Sequence, residues 1–385
     1  MIGLAYQKHP FSGPALSQLD NWLLGVAVTL ILLGLIMVCS SAIMVSTSQY
    51  HQPFFYLIRQ LLFLSIGLVV AKVILHIDSS IWQRYSVPAL FTCLFLLLIV
   101  LIPGIGKVVN GSRRWLAFGP IGIQVSEIAK LTMVVYMASY LVRQKDKVTS
   151  QLSGFINPMI VLGIVSLLLL REPDFGATVV ISFTVMSMLF IAGVKFRYYT
   201  LFLIVVAFAL TMIALSSPYR VARLTAFLDP WADQFNTGYQ LTQALIAFGR
   251  GGIWGVGLGD SVQKLFYLPE SHTDFLFAVL AEELGFAGVM LVVILYCILI
   301  MRGIKIANNA YRQQRLFAAY VAYGLTFWLA LQSFINMGVN AGLLPTKGLT
   351  LPLLSYGGAS LIINCIMIAC LLRIDYENKV SAAMQ

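Results

Sequence analysis

Residues 275–301, FLFAVLAEELGFAGVMLVVILYCILIM, decide the architecture. A helix crosses a hydrocarbon core in about 20 predominantly apolar residues. This run is longer than that, and its only charged residues are Glu282 and Glu283. Comparable runs, bounded by charge, Pro and Gly, recur at roughly 22–46, 54–77, 85–103, 123–142, 155–170, 175–193, 198–216, 316–340 and 351–373. Of the 385 residues, 59% are hydrophobic and 10% charged, and the mean hydropathy is +0.88, far from the composition of a water-soluble domain. The expected fold class is therefore an all-α polytopic membrane protein of about ten transmembrane helices. The pattern excludes a soluble enzyme with a signal peptide or a single anchor. The cysteines Cys39, Cys93, Cys297, Cys365 and Cys370 all lie inside apolar runs, which predicts packing rather than disulfides or a cysteine metal site.

An even number of spans puts both termini on one side, and the positive-inside rule chooses which. Arg143, Lys145, Lys147, Lys195, Arg197, Arg302, Lys305, Arg312, Arg315, Arg373 and Lys379 fall in loops of one set, which predicts cytoplasmic termini. The formal charge of +10 reads as topology, with no soluble basic domain to hold nucleic acid. Many of the remaining cations lie in the one long connection, 216–274, where charge influences insertion least. Trp231, Tyr239, Trp254, Phe266 and Tyr267 predict that this outer loop, between the seventh and eighth spans, is ordered, with short helices on the membrane face. No linker or internal repeat interrupts the chain, so residues 1–385 read as a single membrane-embedded domain.

Ionisable groups at membrane depth are costly and by default functional candidates. Glu127 and Lys130 stand three apart on the fourth span, either as a self-neutralising pair or as part of a site. In the loop before them, Asn110-Gly111-Ser112-Arg113-Arg114-Trp115 sets two guanidinium groups beside an indole, suited to phosphate oxygens or to ordinary headgroup contacts. Arg171-Glu172-Pro173-Asp174-Phe175-Gly176 is a tight turn whose charges either cap helices or face a ligand. Arg220 and Arg223 share a face if their stretch is helical. The glycine-rich run 249–259 lacks the strand and the Lys-Ser/Thr ending of a phosphate loop, so no nucleotide site is expected.

Leu268-Pro269-Glu270-Ser271-His272-Thr273-Asp274-Phe275 leads into the eighth span, with Glu282 and Glu283 about two turns further on. Ser271 to Asp274 fits a capping box, and on a continuous helix Asp274 and Glu282 share a face. A carboxylate at the outer surface among cations is also placed to act as general base or to hold a metal ion. Between the last two spans, the prolines and glycines of 344–358, which include Lys347, predict broken helix lining an outer cavity.

Gly111-Ser112-Arg113-Arg114-Trp115, residues 124–130, Pro173-Asp174-Phe175-Gly176, residues 223–230, Gly238-Tyr239-Gln240, residues 269–283 and residues 345–358 together resemble the SEDS family (shape, elongation, division and sporulation) over essentially the whole length. Pro345-Thr346-Lys347-Gly348-Leu349-Thr350-Leu351-Pro352 resembles its division branch more than its elongation branch. Two departures are Ala177 and Ala359, where Thr and Ser are common in the family.

The resemblance implies a glycosyltransferase that polymerises lipid II into β-1,4-linked glycan at the outer face of the bacterial inner membrane, releasing undecaprenyl pyrophosphate. It implies as partners lipid II, the lipid-linked strand, a class B penicillin-binding protein of the FtsI type, FtsQ, FtsL, FtsB and FtsN at the septum, and membrane lipids, with no nucleic acid. Asp274 matches the family's essential carboxylate, read either as the base for a sugar hydroxyl or as the ligand of a divalent Mg or Mn ion. Arg113, Arg114, Lys130, Arg171, Arg220, Arg223 and Lys347 are the expected pyrophosphate cradle, with Glu127, Glu270, His272, Glu282 and Glu283 in support. The rival readings are a lipid II flippase, for which broken helices and buried charge are equally apt, and a non-catalytic division scaffold.

Overall fold

The computed structural model describes residues 14, 16–109, 112–118, 121–200, 202–204, 227–236, 238–345 and 348–383. In chain order the elements are α1 (Asn21–Tyr50), α2 (Phe55–His76), α3 (Ser79–Leu101), β1 (Gly106–Val109), β2 (Ser112–Phe118), β3 (Ile121–Gln124), α4 (Val125–Arg143), α5 (Lys145–Ser150), α6 (Leu152–Arg171), α7 (Phe175–Ile191), α8 (Tyr239–Gly251), α9 (Leu276–Arg312), α10 (Leu316–Asn340) and α11 (Gly358–Ala383). Among the described residues, eight helices are long and apolar enough to cross a membrane, and α7 is a shorter apolar helix of 17 residues. The expected span 198–216 lies outside the described residues except for 198–200 and 202–204, which are helical.

The helices sort into inner and outer sets by what surrounds them. The most apolar windows of α4, α10 and α11 are 72%, 72% and 89% buried, against 17% for α2 and 28% for α3. Side chains such as Leu68, Val69, Phe91 and Phe95 therefore face outward, as they do on a lipid-exposed wall. α10 packs on α9, α4 and α7, while α11 packs on α2. Where α1 begins and α11 ends, four of the expected loop cations, Arg302, Arg315, Arg373 and Lys379, form ion pairs. Arg302 meets Asp20, Arg315 meets Glu377, and Arg373 reaches Glu377 at 2.8 Å and Asp78 at 3.7 Å.

Two of the departures from uninterrupted helix are a small sheet and a broken helix. The 106–124 connection is a three-stranded antiparallel sheet in the order β1-β2-β3, with Lys107 opposite Trp115 and Trp115 opposite Gln124. Asn110-Gly111 between β1 and β2 is a strong short-range hairpin signal. The second feature is a break in α9 at Gly285, where φ is 65° and ψ −165°. The backbone groups freed there are taken up by the glycine-rich run. Val256 and Gly257 donate to the carbonyls of Glu282 and Glu283 at 3.0 and 3.1 Å, and Phe286 and Ala287 donate to the carbonyls of Gly252 and Ile253 at 2.9 and 3.0 Å. Such contact needs bare backbone: a Cβ on Gly285 would lie 2.3 Å from the Gly255 nitrogen. The 249–259 run thus has a structural purpose, repairing a broken helix at membrane depth.

Candidate functional site

At the sheet end of the bundle, Arg114, Pro173, Asp174, Phe175, Gly176, Gln240, Glu270, Asp274, Phe275 and Gly348 line a cavity of about 220 Å³. Five separate segments meet there. α7 begins at its wall because Asp174 caps it, accepting from the Ala177 amide at 3.1 Å. The other Asp174 oxygen accepts from Ser126 Oγ at 2.7 Å and Gln124 Nε2 at 3.3 Å, which ties the start of α7 to the start of α4. Arg114 of β2 approaches the same carboxylate at 3.8 Å and is itself half-buried.

Asp274 belongs to the turn that precedes α9, whose first helical residue is Leu276. Two asparagines of α10 fix that turn. Asn336 and Asn340 donate to the Asp274 carbonyl at 2.8 and 2.9 Å, and Asn336 also donates to the Leu349 carbonyl at 2.5 Å. Gly348 provides the room for the carboxylate: a Cβ there would sit 2.9 Å from Asp274 Oδ2. Burial, reinforced by the charges of Glu270 and Asp174 and opposed by Arg114, lifts the Asp274 carboxyl to about 7. Near neutral pH it is divided between acid and carboxylate, the ionised share having appreciable affinity for a proton.

The structure divides the expected site residues. Arg114, Glu270 and Asp274 line the cavity. Arg113 does not join them, because successive strand residues point to opposite faces. Its guanidinium instead donates to the Leu101 carbonyl at 3.0 Å, closing the end of α3. Arg171 is exposed at the end of α6 and is not among the lining residues. Lys130 is buried behind the site, held by Glu127 at 2.8 Å, Gln332 Oε1 at 2.8 Å and the Trp328 ring at 5.0 Å. It is linked to the wall through Gln332, which donates to the Thr350 carbonyl at 2.9 Å in the segment that includes Gly348. Arg220, Arg223 and Lys347 lie outside the described residues.

The capping-box and shared-face readings do not survive, since Ser271 to Asp274 form a turn rather than a helix start. Glu282 is buried away from that turn. It accepts from Ser261, the amides of Val262 and Gln263, and Arg250. Glu283 pairs with Lys264 at 2.8 Å and accepts from Ser40 of α1 at 2.7 Å. His272 is buried against Tyr56 and Tyr356, with ring centroids 4.5 and 5.7 Å away, and its carbonyl accepts from the Tyr356 amide at 3.0 Å. Burial holds its imidazole toward the neutral form. His272 thus anchors the turn that carries Asp274, whereas Glu282 and Glu283 hold the 261–264 stretch. Asn336, Asn340 and Gln332 were not singled out in the sequence, although an amide at every fourth position of an otherwise apolar helix is a legible stripe. Among the described residues, no three His, Cys, Asp or Glu side chains gather into a cation site.

The model of the FtsW/RodA/SpoVE family, described as cell cycle protein, matches residues 20–380. A protein of Legionella pneumophila named probable peptidoglycan glycosyltransferase FtsW is 65% identical over 370 residues, covering 96% of this chain and 94% of its own. One of the same name from Coxiella burnetii is 53% identical, with coverages of 94% and 97%. A solved structure described as "Structural coordination of polymerization and crosslinking by a peptidoglycan synthase complex" superposes with a TM-score of 0.79 at 28% identity, covering 94% of this chain and 98% of the other. The rod shape determining protein RodA of Thermus thermophilus superposes with a TM-score of 0.70 at 26% identity, covering 95% and 99%.

Proposed function

Because the chain belongs to the FtsW/RodA/SpoVE family of cell cycle proteins, we propose that it is a peptidoglycan glycosyltransferase that polymerises lipid II during septal wall synthesis in the bacterial inner membrane. In this reading the cavity faces the periplasm, the 216–274 connection is periplasmic and both termini are cytoplasmic. The observation that carries it is Asp274, a carboxylate whose proton affinity is raised to about 7 inside a cavity that also presents Arg114. A general base works best with a pKa near the operating pH.

Asp274 takes the proton of the GlcNAc 4-hydroxyl of one lipid II as that oxygen attacks the anomeric carbon of the lipid-linked strand. The bond from that carbon to the pyrophosphate breaks, its configuration inverts to give the β-1,4 link, and undecaprenyl pyrophosphate leaves. Negative charge develops on the leaving oxygen. Arg114 is the described cation on the cavity wall placed to meet it. Arg220, Arg223 and Lys347 complete the proposed cradle from outside the described residues.

Among the described residues, the carboxylates around the cavity do not gather into a group of three that could hold a cation. Chelation with EDTA tests the Mg or Mn reading of Asp274: unchanged polymerisation eliminates it. A class B penicillin-binding protein is the proposed partner, consistent with the synthase complex whose structure this chain resembles. FtsQ, FtsL, FtsB and FtsN are the further proposed partners at the septum. Purified Asp274→Asn protein, supplied with lipid II and that partner, should form no glycan. Polymerisation at the wild-type rate would refute the assignment, and a flipping assay on the same variant separates polymerase from flippase.

A further inference from the structure

Behind the cavity wall lies a carboxyl group that the mechanism above does not use. Glu172 occupies the turn between α6 and α7, is 0% exposed, and neither of its carboxylate oxygens has a hydrogen-bond partner among the described residues. An ionised carboxylate is not sustained in such a place without partners. Three groups act on or face it: Asp174 from the start of α7, Arg114 from β2 and the Cys93 thiol from α3. Arg114 carries the complementary deficiency. Its Nη2 donates to Ser112 at 2.8 Å and its Nη1 approaches Asp174, but its buried Nε has no partner among the described residues. Among the described residues, an unbonded acid thus lies within electrostatic reach of an unbonded donor on the cavity-lining Arg114.

We propose that Glu172 is a positioning residue for Arg114: as a neutral acid it leaves the guanidinium turned to the cavity and to substrate phosphate oxygens, whereas as a carboxylate it draws the guanidinium back into the wall through Nε. Burial, with the Asp174 charge adding to it and Arg114 opposing, lifts the Glu172 carboxyl to about 8, so the neutral form prevails at pH 7. The proposal rests on Arg114 being a ligand for substrate phosphate.

The test is lipid II polymerisation by the full chain with its partner, measured from about pH 6 to about pH 9.5. The wild type should lose apparent affinity for lipid II as pH rises through about 8. The isosteric Glu172→Gln should match wild-type activity at pH 7 and lack that alkaline limb, with an apparent KM on the order of tenfold below wild type at the alkaline extreme. Glu172→Gln with an unaltered alkaline limb, or with activity abolished at pH 7 in protein that still melts cooperatively, overturns the proposal. A measurement on the wild type does not depend on the variant's folding: the infrared carbonyl band of a protonated buried carboxyl should be present at pH 7 and disappear as pH passes about 8, and its absence at pH 7 overturns the proposal equally. Arg114→Ala separates the two premises. An unchanged KM there removes the phosphate role of Arg114, whereas a raised KM combined with an unaltered limb in Glu172→Gln removes only the role of Glu172.

Discussion

Asp274 and Glu172 are both acids raised by burial, and their placement gives them opposite uses. Asp274 opens onto the cavity, so its proton affinity is available to a substrate hydroxyl, and it must be ionised to act. The rate should therefore climb as pH rises through about 7, a limb that is read from kcat/KM against pH and that Glu172→Gln should retain. Glu172 is closed off, so its proton affinity appears in stability. The folded chain keeps that proton up to about pH 8, while an unfolded chain releases it near 4.5. Between those values the folded state binds more protons, so raising the pH costs stability, which levels off above the folded value. Glu172→Gln has no such proton to lose. Its melting midpoint should exceed that of the wild type, by on the order of 5 °C near pH 8 and much less near pH 5, in thermal scans at the two pH values. At this scale the chain's own pattern left Asp274 open between a helix cap and a functional acid, and the family resemblance singled it out. The pattern could not separate Arg113 from Arg114, because which of two adjacent guanidiniums meets the cavity follows from strand alternation, and the expected element there was a loop.

Among the elements, the broken α9 and the glycine run explain one another. The helix stops at Gly285, and backbone from residues 252–257 supplies the hydrogen bonds that the helix forgoes. Gly285→Ala would force a side chain into left-handed backbone and into the Gly255 amide. The expected cost is roughly 1–3 kcal/mol of strain before any lost hydrogen bond, seen as a lower melting midpoint with the pH profile of the surviving activity unchanged. Asn336 and Asn340 perform the analogous task for the Asp274 turn. Asn336→Leu removes the donor shared by the Asp274 and Leu349 carbonyls. It should lower kcat by on the order of a hundredfold, because a base displaced by about 1 Å no longer meets the hydroxyl in line, while KM changes little. Apolar length alone was enough to locate most of the spans. The start of α11 at Gly358, later than its apolar run suggests, follows from Pro352 and the glycines before it.

Across the whole molecule, buried charge joins parts of the chain that are distant in sequence. Lys264 of the long connection, Glu283 of α9 and Ser40 of α1 form one group, with contacts of 2.8 Å from Lys264 to Glu283 and 3.0 Å from Lys264 to Ser40. Lys264→Met leaves Glu283 buried and uncompensated and should cost about 3–5 kcal/mol, whereas adding Glu283→Met should restore most of the loss. Chemical or thermal unfolding of the single and double variants measures that coupling.

The sequence by itself determined the solvent of this protein, the length of its spans and the irregular backbone before α11, and its motifs nominated the acid on which the proposed activity depends. These are properties of runs and neighbours, fixed by hydrophobic length and local chemistry. Tertiary structure alone decided which charges face the cavity and which do not: Arg114 rather than Arg113, Glu270 rather than Glu282, and Glu172 shut in without a hydrogen-bond partner among the described residues. Burial and pairing arise from residues tens to hundreds of positions apart, and no local pattern in the chain encodes which side chains those distant segments bring together.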